Sequence, residues 1–128
     1  MVNEVLVRRV RAGAYRLNGE PEVRKVVKIR WVKPYEEAQN HVCIGQVIAE
    51  TQQYLKVYGR TFHFQRPQGT VKGVTHSAAK LRWIPWNRIE VVTELPPDTD
   101  WERLELQVTG DSRLVVSGEV PHGELIGD

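Results

Sequence analysis

The chain lacks most of the features that would name a function. It has one cysteine, Cys43, in 128 residues, so no internal disulfide can form and a reducing, cytoplasmic compartment is expected. No apolar run approaches the roughly 18 residues needed to cross a bilayer. Its opening, Met1-Val2-Asn3-Glu4-Val5-Leu6, lacks the basic-then-apolar order of a secretory leader. No phosphate-cradling glycine loop is present, because Gly69-Thr70-Val71-Lys72-Gly73 has the wrong spacing. Neither a long helical period, nor an internal repeat, nor a low-complexity tract can be read. Net charge is only +2, so cations can define a partner by position and not by number.

The chemistry-bearing residues do not assemble into a known constellation. Of the four histidines, only His41 lies near a second soft ligand, in His41-Val42-Cys43, whereas structural zinc needs four ligands. His76 and Ser77 are adjacent, but a nucleophile and its base meet in space and need a third group to orient them. Asp98 and Asp100 lie in a proline-rich turn, where Asp is favoured for bonding the backbone. The expectation is a non-enzymatic protein with no catalytic residue, no cofactor and no metal.

What is present is strand. Hydrophobic residues make up 41% and charged residues 27%, which suits one packed domain. Residues 4–11 read as a first strand, and Asn18-Gly19 is a hairpin signal. In 23–33, Val27, Ile29 and Trp31 alternate with Arg24, Lys28 and Arg30, predicting one buried and one wet face. Pro34–Asn40 breaks the pattern with a loop or one turn of helix. Residues 41–50 are apolar on both faces, with Ile44 and Ile48 opposite Gly45 and Val47, which predicts a central strand. In 54–64, Leu55 and Val57 share one parity and Phe62 and Phe64 the other. That switch at Gly59 predicts a bulge or sharp bend.

Residues 65–79 have turn composition and predict a long loop. Residues 80–84 and 89–95 are strands broken by Pro85-Trp86-Asn87-Arg88, since proline cannot donate to a ladder. Leu95-Pro96-Pro97-Asp98 is a boundary. Beyond it Leu104, Leu106 and Val108, a turn at 109–112 and a strand over 113–119 predict a hairpin, with 120–128 loose. The division is therefore 1–95 as a main unit and 96–128 as a hairpin and tail packed on it.

Five short bent strands suggest a small β-barrel. Gly45-Gln46-Val47 followed by Tyr54-Leu55-Lys56-Val57, and then Ile84-Pro85-Trp86-Asn87-Arg88-Ile89, resemble the two motifs of the Sm and Sm-like family over about residues 34–95. The chain departs from that family where Thr51 and Tyr54 replace its usual Asp and Asn, and where Ile84-Pro85 replaces its RNA-contacting Arg-Gly pair. The resemblance implies a mostly β, strongly bent antiparallel Sm-like or SH3-like barrel with an N-terminal β extension and a C-terminal hairpin. It implies a ring-forming homo-oligomer that holds single-stranded RNA.

Basic residues interleaved with aromatics can grip phosphate while bases stack on rings. Lys56, Tyr58 and Arg60 on one strand, Lys80 and Arg82 on another, and Arg88 in the turn are the nucleic-acid candidates. Trp86 and Tyr54 are the candidates for a subunit contact. The alternative expectation is an assembly component that contacts protein only.

Overall fold

The computed structural model describes the backbone of residues 7–11, 14–17, 25–65 and 72–127, and the side chains of 25–65 and 74–127. The Asn18-Gly19 turn, Arg24 and residues 66–71 of the 65–79 loop lie outside the described residues. In chain order the elements are β1 (Val7–Arg11), β2 (Ala14–Leu17), β3 (Val26–Trp31), β4 (Asn40–Glu50), β5 (Tyr54–Phe64), β6 (Lys72–Gly73), β7 (Thr75–His76), β8 (Lys80–Pro85), β9 (Ile89–Leu95), β10 (Leu106–Val108), β11 (Leu114–Val116) and a short helix α1 (Gly123–Ile126). The protein is mostly β, as its alternating pattern predicts, and its strand pairs are antiparallel. No helix among the described residues is long and apolar enough to cross a membrane.

The main sheet has the order β7-β5-β4-β3-β9, with β8 also paired to β5. β4 is central, as its two apolar faces predict. β8 runs along one edge and β9 along the opposite edge, yet only the 3-10 turn Trp86–Arg88 separates them. Three residues span about 10 Å at most, so the edges must approach each other and the sheet must curl. Pro85 holds the extended φ of −62° that the turn needs, and Val32 N–H bonds Arg88 O at 2.8 Å to pin its far end. No ladder joins β8 to β9 among the described residues, so the curl stops short of a closed barrel.

Both faces of this sheet are buried. On the curled face Val27, Ile29, Cys43, Leu55, Val57 and Ile84 form one core, with Trp31, Val47, Trp86 and Ile89 packed against it. Ile84 and Ile89 come from opposite edges, which is the curl seen from its core. On the other face Val26, Val42, Ile44, Tyr58, Phe62 and Phe64 pack against Leu95, Trp101, Leu104, Leu106, Val108, Leu114 and Ile126. The C-terminal hairpin and tail therefore share a core with the sheet.

That second core corrects several expectations. The parity switch at Gly59 is no bulge: Gly45 and Gly59 are in register, and the β4–β5 irregularity lies between Val47 and Ala49. The odd residues of β5 feed one core and the later even residues feed the other. The supposedly wet face of β3 is covered, leaving Lys28 8% exposed. Pro34–Asn40 takes the loop alternative, as bends and a turn closed by Ala38 N–H to Tyr35 O. The tail is not loose, because Ile126 of α1 is fully buried.

The opposed glycines are a steric requirement. A Cβ on Gly45 would overlap Tyr58 O and Gly59 Cα, both of them backbone atoms that cannot swing aside. Gly45→Ala is therefore expected to destabilise by about 3 kcal/mol, the upper end for overpacking. Denaturant unfolding against the parent checks this, and a variant as stable as the parent would refute the close approach.

Candidate binding surfaces

The structure separates the six sequence-predicted cations and aromatics. Lys56, Tyr58 and Arg60 share the even face of β5, but all three are buried. Tyr58 packs its ring edge-on against Trp101, at 5.5 Å and 79°. Lys56 is 2% exposed, with Nζ 5.0 Å from the Trp83 ring centre, so the indole roofs the cation. These residues cannot meet a phosphate while the fold holds, which corrects the expected stripe. The cause is the C-terminal segment and Trp83, which cover a face that the strand pattern alone leaves open.

Arg60 is the tie between sheet and C-terminal segment. Its Nη1 donates to the carbonyls of Trp101, Glu102 and Leu104 at 3.1, 2.9 and 2.7 Å. Nε donates to Ser77 O at 3.3 Å, and Nη2 meets His76 Nδ1 at 3.1 Å. Burial lowers its basicity, and the nearby carboxylates of Glu105 and Glu102 offset part of that. The guanidinium fork suits this task, because several donors in one plane can satisfy several carbonyls at once.

Arg82 is half-buried and held on the curled face. Nε donates to Gly59 O at 3.2 Å, while Nη2 donates to Ser77 Oγ at 2.8 Å and Ala78 O at 3.3 Å. Ser77 Oγ also accepts from Thr61 N–H at 3.0 Å and donates to Ala78 O. The hydroxyl is thus tied into local structure, and His76 next to it meets Arg60 instead. Lys80 and Arg88 are exposed, at opposite ends of the β8 segment. Asp98 meets His122 Nε2 at 3.1 Å, while Asp100 meets Arg103 at 3.9 Å, so the two carboxylates have separate partners.

Of the proposed contact residues, Trp86 is half-buried against the curled core and donates Nε1–H to Thr51 O at 2.7 Å. The exposed indole is Trp83, at 58%, stacked on Tyr54 with centroids 5.0 Å apart and planes at 9°. Sequence reasoning missed it, although parity held the signal: if Ile84 points into the core, Trp83 points away. Leu81 on the same side of β8, and Val91 and Val92 on β9, are also exposed. Neither β8 nor β9 has a ladder partner on its outer side among the described residues. Both are edge strands carrying apolar side chains, the combination that invites pairing with another chain.

A third group escaped the sequence entirely. Trp31, His41 and His63 form a row across β3, β4 and β5, with Trp31–His41 centroids 3.8 Å apart and His41–His63 3.9 Å apart. His41 is pushed down to about 4 by burial first, then by His63, Arg82 and Arg88. Cys43, two residues on and fully buried, has its thiol pushed up to about 12 by burial. It is protonated at neutral pH and is neither a thiolate nucleophile nor a ready metal ligand. No group of three metal-ligating side chains occurs among the described residues. Compared with known protein families, curated proteins and solved structures, the chain matches none of them.

Two outcomes follow. Arg60→Met removes the donor for three carbonyls and should destabilise by about 3–5 kcal/mol, with Arg60→Lys recovering little because a point charge cannot span them. Urea unfolding measures both. For pH, the unfolded chain protonates His41 near its ordinary value, whereas the folded chain does so only near 4. The His41 contribution is intact above the ordinary histidine pKa and is lost as pH falls towards 4. Melting temperature should drop over that window in the parent and drop less in His41→Gln.

Proposed function

We propose that this chain is a non-enzymatic assembly module, a curled antiparallel unit of the Sm-like or SH3-like kind that joins to copies of itself edge to edge. The observation that carries this reading is the pair of unpaired edges. β8 and β9 flank one turn, each lacks an outer ladder partner among the described residues, and each shows apolar side chains to solvent. An antiparallel ladder between β8 of one copy and β9 of the next would satisfy both sets of backbone groups. It would also cover Leu81, Trp83 and Val91. Because the two surfaces differ, the contact is head-to-tail, and it closes into a ring when the rotation per copy allows. A cytoplasmic setting agrees with Cys43 standing as a free thiol. The strand order and the proline-marked 3-10 turn support the finer architecture.

A second reading, in which the assembly holds single-stranded RNA, draws on Lys80, Arg82 and Arg88, the three candidates that retain exposure. It needs fewer phosphate contacts than the sequence suggested. Binding would weaken as salt rises, with a shallow slope for so few cations.

The assembly reading is tested by light scattering on the purified protein at micromolar concentration. The expected mass is an integral multiple of 14.7 kDa. Leu81→Lys combined with Val91→Lys should return it to one chain without loss of strand signal in circular dichroism. A parent that stays at one-chain mass across the range overturns the reading.

A further inference from the structure

The Trp31–His41–His63 row takes no part in edge pairing. It lies on the curled face beyond the glycine pair, two register positions past Ile29, Cys43 and Thr61 and therefore the next row on that face. His41 Nε2 is buried and has no hydrogen-bond partner among the described residues. Leaving such an atom unmatched costs about 1–3 kcal/mol. Among the described residues, the charged or titratable groups that act on His41 are all basic: His63, Arg82 and Arg88. Arg82 is fixed there by Gly59, Ser77 and Ala78, all of them neutral acceptors. Arg88 is exposed and stands one residue before Ile89, the register partner of Trp31. Neither arginine has an ion pair with any described residue.

Two guanidiniums without an ion pair among the described residues, two stacked imidazoles and a buried ring nitrogen without a described partner share one chemical complement. We propose that Trp31, His41, His63, Arg82 and Arg88 form a binding site for a phosphate-type oxyanion. Its oxygens accept from the Arg88 fork, which matches phosphate geometry, and from Arg82 Nη1, the nitrogen that Gly59, Ser77 and Ala78 leave uncommitted. Its charge lets an imidazole take a proton and turn a ring nitrogen into a donor towards it. Arg82 is pre-oriented by its three acceptors, so little side-chain freedom is lost on binding. Trp31, only half-buried, leaves ring surface beside the anion on which a base can stack. The phosphate can therefore be free in solution or part of a single-stranded nucleic acid. The site stands independently of edge pairing, since none of its residues lies among the apolar side chains of the β8 and β9 edges.

The test follows the histidine ring resonances of the full chain during titration with inorganic phosphate, and separately with a short uridine-rich RNA, at constant ionic strength held with chloride. The expected result is saturable movement of the His41 and His63 signals with His122 unmoved, and a rise in the His41 pKa from about 4 in the bound state. Arg88→Gln, which removes an exposed side chain, should weaken binding roughly tenfold at unchanged melting temperature. Saturation by inorganic phosphate assigns the site to a free anion, and saturation by the RNA alone assigns it to a nucleic-acid backbone. Signals that stay still with both probes overturn the proposal. So does movement that chloride reproduces, or an Arg88→Gln variant that binds as well as the parent.

Discussion

The architecture depends on the contact between Gly45 and Gly59. These residues face each other across β4 and β5 at a separation that admits no side chain. They also mark where the neighbours change. β3 pairs with β4 only as far as Gln46, and β8 pairs with β5 only from Gly59. On one side of the glycines the long hairpin belongs to a wall with β3 and β9. On the other side it belongs to a wall with β8. A pair of strands that serves two walls must turn sharply between them, and bare backbone at the corner permits that turn. The meeting of Ile84 with Ile89, the proximity of opposite edges and the three-residue link between them all follow.

Arg60 performs a second joining task one residue beyond that corner. A charged side chain at a buried position is costly unless its donors are matched. Here every nitrogen has an acceptor, three of them carbonyls of the segment that covers the sheet. Carbonyls at the end of one element and the start of another have no ladder partners of their own, so the arginine supplies what secondary structure leaves out. The arrangement explains how a C-terminal piece with two three-residue strands and one turn of helix holds its place.

Much of the fold was legible in the residues. Alternation located β3, β4, β5, β8 and β9, Pro85 located the turn, and the doubly apolar pattern of 41–50 placed β4 at the centre. The C-terminal hairpin was legible too, though shorter than its pattern. Less legible was anything that depends on what covers a face. Lys56 and Arg60 look like a solvated stripe because long cationic side chains read the same whether their heads reach water or a buried acceptor. Arg60 bonds backbone carbonyls, which carry no sequence signature. The parity change at Gly59 was visible, yet two cores produce the same change as a bulge. The Trp31, His41 and His63 row joins residues distant in the chain, and only the strand register brings it together.

The burial of the even face by residues beyond Leu95 has a consequence for synthesis. β3, β4 and β5 leave the ribosome before Trp101, Leu104, Leu114 and Ile126 exist to cover them. Until then Val26, Val42, Ile44, Phe62 and Phe64 form an open apolar sheet face on the nascent chain. That interval is when association with other chains competes with folding. Residues made after Leu95 are thus the ones that end the exposure.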